Sequence, residues 1–188
     1  MKAMRKNAKN QYGTVSKVLH WGMAILIISM LACGLIMTDL AASPLKWKIY
    51  MVHKSVGLVV LFLIIPRLVW RFINIVPELL TSLPATHRSL AKLSPYILYA
   101  MMIVMVLSGY IMSNMGGHAI SFFDAYTLPH LFSKNQSLSA IAAKTHGIAA
   151  YCFIVILTTH VFAALYHHFI LKNEVLRRML PSSSKKGI

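Results

Sequence analysis

Residues 145–171 read THGIAAYCFIVILTTHVFAALYHHFIL, a run without Asp, Glu, Lys or Arg that carries histidines at positions 146, 160, 167 and 168. A helix rises about 1.5 Å per residue and a bilayer core is about 30 Å thick, so this stretch is long enough to cross a membrane. It is read as a span over about 141–170. Its histidines are the anomaly, because an ionisable side chain in hydrocarbon is costly and is generally kept there for function.

Two further runs have the same character, Val18 to Thr38 and Leu93 to Phe123, which set spans at about 16–38 and 93–114. Between Trp47 and Phe72 the uncharged run is only Ser55 to Pro66. Trp47, Lys48, Tyr50 and Lys54 at one end, with Arg67, Trp70 and Arg71 at the other, are the aromatic and snorkelling residues expected where a helix meets two interfaces. A fourth span is therefore placed at 47–72. The first run is about 20 residues, longer than the 7–15 of a signal-peptide core, and it opens on a histidine, so it is read as a retained span. The expectation is one domain over residues 1–188, an all-α integral membrane four-helix bundle.

Composition agrees. Of 188 residues 57% are hydrophobic and 12% charged, and the mean hydropathy is +0.65. Nineteen Lys and Arg face four acids, but the basic residues fall in short runs between apolar stretches, where lipid headgroups meet them. Membrane lipid is the expected partner and nucleic acid is not. Cys33 and Cys152 lie inside apolar runs and read as small buried hydrophobes. Four spans with both termini on one side sort the cations fourteen to five, the five being Lys46, Lys48, Lys54, Lys134 and Lys144. The positive-inside rule then puts both termini in the cytoplasm and those five lysines outside.

Depth pairs the histidines. His146 and His160 are fourteen residues apart, which returns them to within about 40° of one helix face and separates them by about 21 Å in depth. The fourth span runs inward, so His146 lies toward the outer surface and His160 toward the inner. His20 opens the first span inside and His53 opens the second outside, giving the pairs His20 with His160 and His53 with His146. His167 is the alternative inner ligand, but it falls near the headgroups. His87, His118 and His130 are read as solvated loop residues.

Two imidazoles facing each other across a bundle suit axial ligation of haem iron, whereas zinc wants three or four ligands at one depth. The expected cofactor is haem b, two per chain and stacked across the bilayer. Arg67 follows His53 by fourteen residues and reaches the inner depth, where it and Arg71 would meet propionates. Gly34, Gly57, Gly109 and Ser108 leave room for a flat group close to backbone.

These stretches resemble the bacterial cytochrome b561 family over nearly the whole chain. The matching residues are Leu19-His20-Trp21, His53-Lys54-Ser55-Val56-Gly57, Pro66-Arg67-Leu68-Val69-Trp70-Arg71, Lys144-Thr145-His146-Gly147, and His160 through Phe169 followed by Asn173, Leu176, Arg177, Arg178, Met179 and Pro181. The resemblance places the chain in a bacterial inner membrane and implies ligands at His20, His53, His146 and His160. It also implies oxidation of superoxide to oxygen outside, with electrons passed to ubiquinone. Relatives often carry a histidine early in the third span, where this chain has Pro95 and Tyr96. Quinone donors are expected at the inner end among His167, Trp70 and Arg71. The five outer lysines are expected to steer an anion. The fold also resembles haem subunits of membrane hydrogenases and formate dehydrogenases, so the alternative is an electron wire docked to a soluble redox partner. A transporter with histidine proton relays lacks acidic relay residues in every span.

Overall fold

A computed structural model describes residues 5–79 and 84–181. Four helices dominate: α1 Thr14–Asp39, α2 Pro44–Ile73, α3 Ala85–Met115 and α4 Gln136–Phe169, with a two-stranded hairpin, β1 Ser121–Phe122 and β2 Tyr126–Thr127, between α3 and α4. All four helices are long and apolar enough to cross a bilayer. Their outward faces are greasy, with Phe62 67%, Phe72 76%, Tyr151 66% and Val155 65% exposed, as lipid-facing side chains should be. The expected cations Lys2, Lys185 and Lys186 lie outside the described residues.

Local chemistry sets the helix ends. Pro44 opens α2 at the position where its missing N–H costs nothing, and the Ser43 hydroxyl accepts the N–H of Lys46 at 3.2 Å. Asn135 caps α4 by accepting the N–H of Leu138 at 3.0 Å. These caps start the helices earlier than an uncharged-run reading does. The largest difference is α3, which begins at Ala85 and not near 93, because its first turns are polar and lie beyond the apolar stretch that marks a span. His87 is consequently a helical residue and not a loop residue.

α1 packs on α2 and α3 on α4 as antiparallel hairpins, with α2 and α3 in lesser contact. The closest backbone packing of α4 is on α3. The core cluster is Met23, Val60, Ile64, Tyr99, Met102 and Phe153. Phe153 lies seven residues from both His146 and His160, so this apolar layer sits between the two depths at which histidines enter the bundle.

The two ends of the bundle are closed differently. At the end where α1 begins and α4 finishes, called the termini end below, the segment after α4 folds back under the helices: Trp21 Nε1 donates to the carbonyl of Met179 at 3.0 Å, and Arg178 donates to the carbonyl of Glu78 at 2.6 Å. Gly13 is required there, since a Cβ at that position would run into the backbone carbonyls of Arg5 and Lys6. At the other end, the hairpin turn holds Phe123 and Asp124 at φ 50° and 57°, a left-handed conformation that costs a non-glycine residue about 1–3 kcal/mol.

Ser55 holds this turn in place. Its side chain is fully buried on α2 and accepts the N–H of Phe123 at 2.9 Å, while its own hydroxyl lies 2.9 Å from the carbonyls of Met51 and Ser121. Ser55→Ala leaves that N–H unsatisfied and should cost about 1–3 kcal/mol, read as a lowered thermal midpoint in detergent. An unchanged midpoint would show that the turn is held by other contacts.

Candidate functional site

The bundle brings four histidines together in two pairs. His20 of α1 faces His160 of α4 with ring centres 6.4 Å apart, and His53 of α2 faces His146 of α4 with ring centres 6.5 Å apart. The first pair lies at the termini end and the second at the hairpin end. A metal–nitrogen bond of about 2.0–2.1 Å, plus about 1.1 Å from nitrogen to ring centre, separates two rings on opposite sides of one metal by about 6.3 Å. Both pairs have the separation of rings that share one metal between them.

At the hairpin end, Nδ1 of His146 lies 2.9 Å from the carbonyl of Met105 and 3.1 Å from Oγ of Ser108. A carbonyl only accepts, so Nδ1 carries the ring proton and Nε2 keeps its lone pair. His53 Nδ1 is buried without a partner. Beside the pair is a cavity of about 110 Å³, lined among others by Met30, Gly57, Met105, Gly109 and Tyr110. Gly109 makes room at the His146 ring. A Cβ on Gly109 would come within 3.0 Å of His146 Cε1, and one on Gly34 within 3.5 Å of His53 Cε1, whereas one on Gly57 would meet only Met30 at 3.7 Å. The Tyr110 hydroxyl, in the cavity wall, is buried without a partner.

At the termini end, Arg67 of α2 reaches across to donate to Nδ1 of His20 at 3.0 Å, and its guanidinium lies 5.8 Å from the centre of the Tyr99 ring. Arg71 lies over Tyr96 at 5.4 Å. Arg177 pairs with Glu174 on the exposed surface, whereas the Arg67 and Arg71 guanidiniums lie against aromatic rings with no carboxylate bound among the described residues. His160 Nδ1 is 3.3 Å from Oγ of Ser94. Pro66 and Pro95 adjoin Arg67 and Ser94 inside α2 and α3, each withholding one backbone donor.

His167, the alternative partner for His20, faces His87 instead, with ring centres 5.4 Å apart, and its Nδ1 is 2.8 Å from the side-chain amide nitrogen of Asn173. His87 and His168 each keep a buried Nδ1 without a partner. Trp70 is turned to α1, its N–H donating to Ser16 at 3.0 Å. Of the five lysines, Lys46 donates to the carbonyl of Leu40 at 2.6 Å and Lys54 to that of Ala119 at 3.2 Å, while Lys48, Lys134 and Lys144 are exposed. All five lie at the hairpin end. Sequence reasoning did not single out Ser94, Tyr110 or the partnership of His87 with His167.

Among the described residues no three His, Cys, Asp or Glu side chains converge on one point, so each site offers two nitrogen ligands. A four-helix membrane bundle with two facing imidazole pairs at different depths defines a class, the membrane cytochromes whose iron is held from opposite helices. The match to a family model, Prokaryotic cytochrome b561, covers residues 11–182, and the chain belongs to that family. It is 33% identical over 180 residues to "Cytochrome b561 homolog 2" of Escherichia coli (strain K12), covering 95% of each chain. It is 24% identical over 178 residues to "Probable superoxide oxidase CybB" of Yersinia pestis, covering 94% of this chain and 98% of that protein. "Cytochrome b561 homolog 1" of Escherichia coli (strain K12) is 24% identical over 174 residues, covering 92% and 98%.

The family is one of haem b oxidoreductases that transfer electrons in the membrane, and this chain is a multi-pass protein of the bacterial inner membrane. The residues fit haem. The glycine cleft beside His146, the ring separations, the Arg67 guanidinium with no carboxylate bound and the partnerless Tyr110 hydroxyl suit a flat iron complex with anionic side arms.

Proposed function

We propose that this protein binds two haems b, one at each histidine pair, and moves electrons from superoxide on one side of the membrane to ubiquinone on the other. The observation that carries the reading is the pair of pairs: two facing imidazole sets at opposite ends of one bundle, separated by an apolar layer. Bound haem supplies a reversible one-electron carrier at each site. The residues do the rest. Met105 and Ser108 hold the proton at His146 Nδ1 and leave Nε2 to ligate. At His20, Nε2 would be the nitrogen that holds iron, with the ring proton on Nδ1, and Arg67 would be available to a propionate.

Both termini are assigned to the cytoplasm, from the sorting of basic residues. The hairpin end is then external, and Lys46, Lys48, Lys54, Lys134 and Lys144 give it a field that concentrates an anion. Two superoxide anions each surrender one electron and leave as oxygen; one quinone takes both electrons and two protons to become quinol. Quinone belongs at the internal end, where His87 and His167 offer ring N–H groups to its carbonyl and Arg71 adds positive charge.

The test is purified protein given a flux of superoxide and a soluble ubiquinone. Quinol should form at half the rate of superoxide loss without any other protein. Glu at Lys48 and Lys144 should lower that rate several-fold at low salt and less at high salt. A protein that holds haem but turns over only when a soluble dehydrogenase is added is instead a wire subunit, and the superoxide reading fails.

A further inference from the structure

His146 and His160, the two α4 histidines of the facing pairs, carry an Nδ1 partner on the same neighbouring helix. Ser108 Oγ lies 3.1 Å from His146 Nδ1, and Ser94 Oγ lies 3.3 Å from His160 Nδ1. The serines are fourteen residues apart, as are the histidines. Because α3 and α4 pack antiparallel in close contact, a single register serves both ends of the bundle. The histidines of α1 and α2 have nothing equivalent: His53 Nδ1 is without a partner and His20 Nδ1 faces Arg67.

Ser108 is oriented for this task. Its hydroxyl proton is committed to the carbonyl of Val104 at 2.6 Å, so an oxygen lone pair is left for the imidazole. With the Met105 carbonyl at 2.9 Å, the His146 N–H meets two acceptors. The His160 N–H meets one, at a longer distance.

We propose that Ser94 and Ser108 are positioning residues that hold the Nδ1 protons of His160 and His146, aim each Nε2 at its iron, and set how strongly each ring donates to it. This rests on the haem reading above. A stronger acceptor at the outer nitrogen makes imidazole more electron-donating and favours oxidised iron. His146 has the stronger set of acceptors. The Arg67 cation belongs to the termini-end site, and positive charge there favours the reduced state. Both asymmetries act in one direction: the termini-end site has the higher potential and draws electrons from the hairpin end.

The experiment is a potentiometric titration of haem absorbance on the purified holoprotein, with Ser108→Ala, Ser108→Thr, Ser94→Ala and Ser94→Thr beside the wild type. It needs neither superoxide nor quinone. Two midpoints are expected, with Ser108→Ala raising the lower one alone, Ser94→Ala raising the higher one alone, and each threonine restoring the wild-type value. Alanine variants that keep both haems with unmoved midpoints overturn the proposal. So does loss of both haems that threonine does not repair, since that is a packing effect. Wild-type protein without haem overturns the functional reading itself, whereas haem present with unmoved midpoints overturns only the serines.

Discussion

His146→Ala should leave a folded protein with one haem in place of two, and His160→Ala should do the same while losing the other one. The pairing in space makes this specific. His53→Ala must remove the same haem as His146→Ala, because those rings lie 6.5 Å apart, and His20→Ala must remove the same one as His160→Ala, at 6.4 Å. The combination His53→Ala with His146→Ala should therefore cost no more haem than either change alone, while His20→Ala with His146→Ala should abolish haem altogether. Pyridine haemochrome counts and reduced-minus-oxidised spectra read this out directly. Equal loss of both haems in each single variant would break the assignment of two separate pairs. Coupling of this kind is expected only for residues that share a partner, which is why the double variants carry more weight than the single ones.

Gly109→Leu should empty the hairpin-end site and spare the other. A Cβ at Gly109 would stand 3.0 Å from Cε1 and 3.2 Å from Nδ1 of His146, closer than side chains normally approach, and His146 is held by Met105 and Ser108 on the same side. Alanine forces a shift of a few tenths of an ångström and should lower occupancy in part. Leucine adds three more carbons to a packed wall, which costs about 1–3 kcal/mol of overpacking before any ligand is considered. Gly22→Ala is the control, because nothing lies within 4 Å of a Cβ there. If Gly109→Leu retains both haems with an unaltered spectrum, the cleft beside His146 is not where the macrocycle lies.

The distribution of histidines across apolar runs was legible without coordinates because depth along a helix is a matter of counting residues. The meeting of His20 with His160 and of His53 with His146 follows from the same count once the spans alternate in direction. His87 was misplaced for a related reason. The polar first turns of α3 carry no apolar stretch, so hydropathy stops short of them, yet capping and continuous backbone bonding carry the helix back to Ala85. Its partnership with His167 depends on that extra length. The serines were available in principle, since their spacing of fourteen repeats that of the histidines. That repeat has no meaning until α3 is known to lie against α4 in one register.

Hydrophobic length and the sorting of charge thus determine, from the sequence by itself, a four-helix membrane bundle with imidazoles near both surfaces, because a bilayer imposes one dimension and helices fill it at a constant rise. Azimuth is different. Which helix packs most closely on which, and which side chains reach the histidine rings, depend on close packing between distant segments. Only the tertiary structure decides that Ser94, Ser108 and Arg67 meet histidines, because those contacts arise from the rotation of each helix about its own axis, to which the bilayer is indifferent.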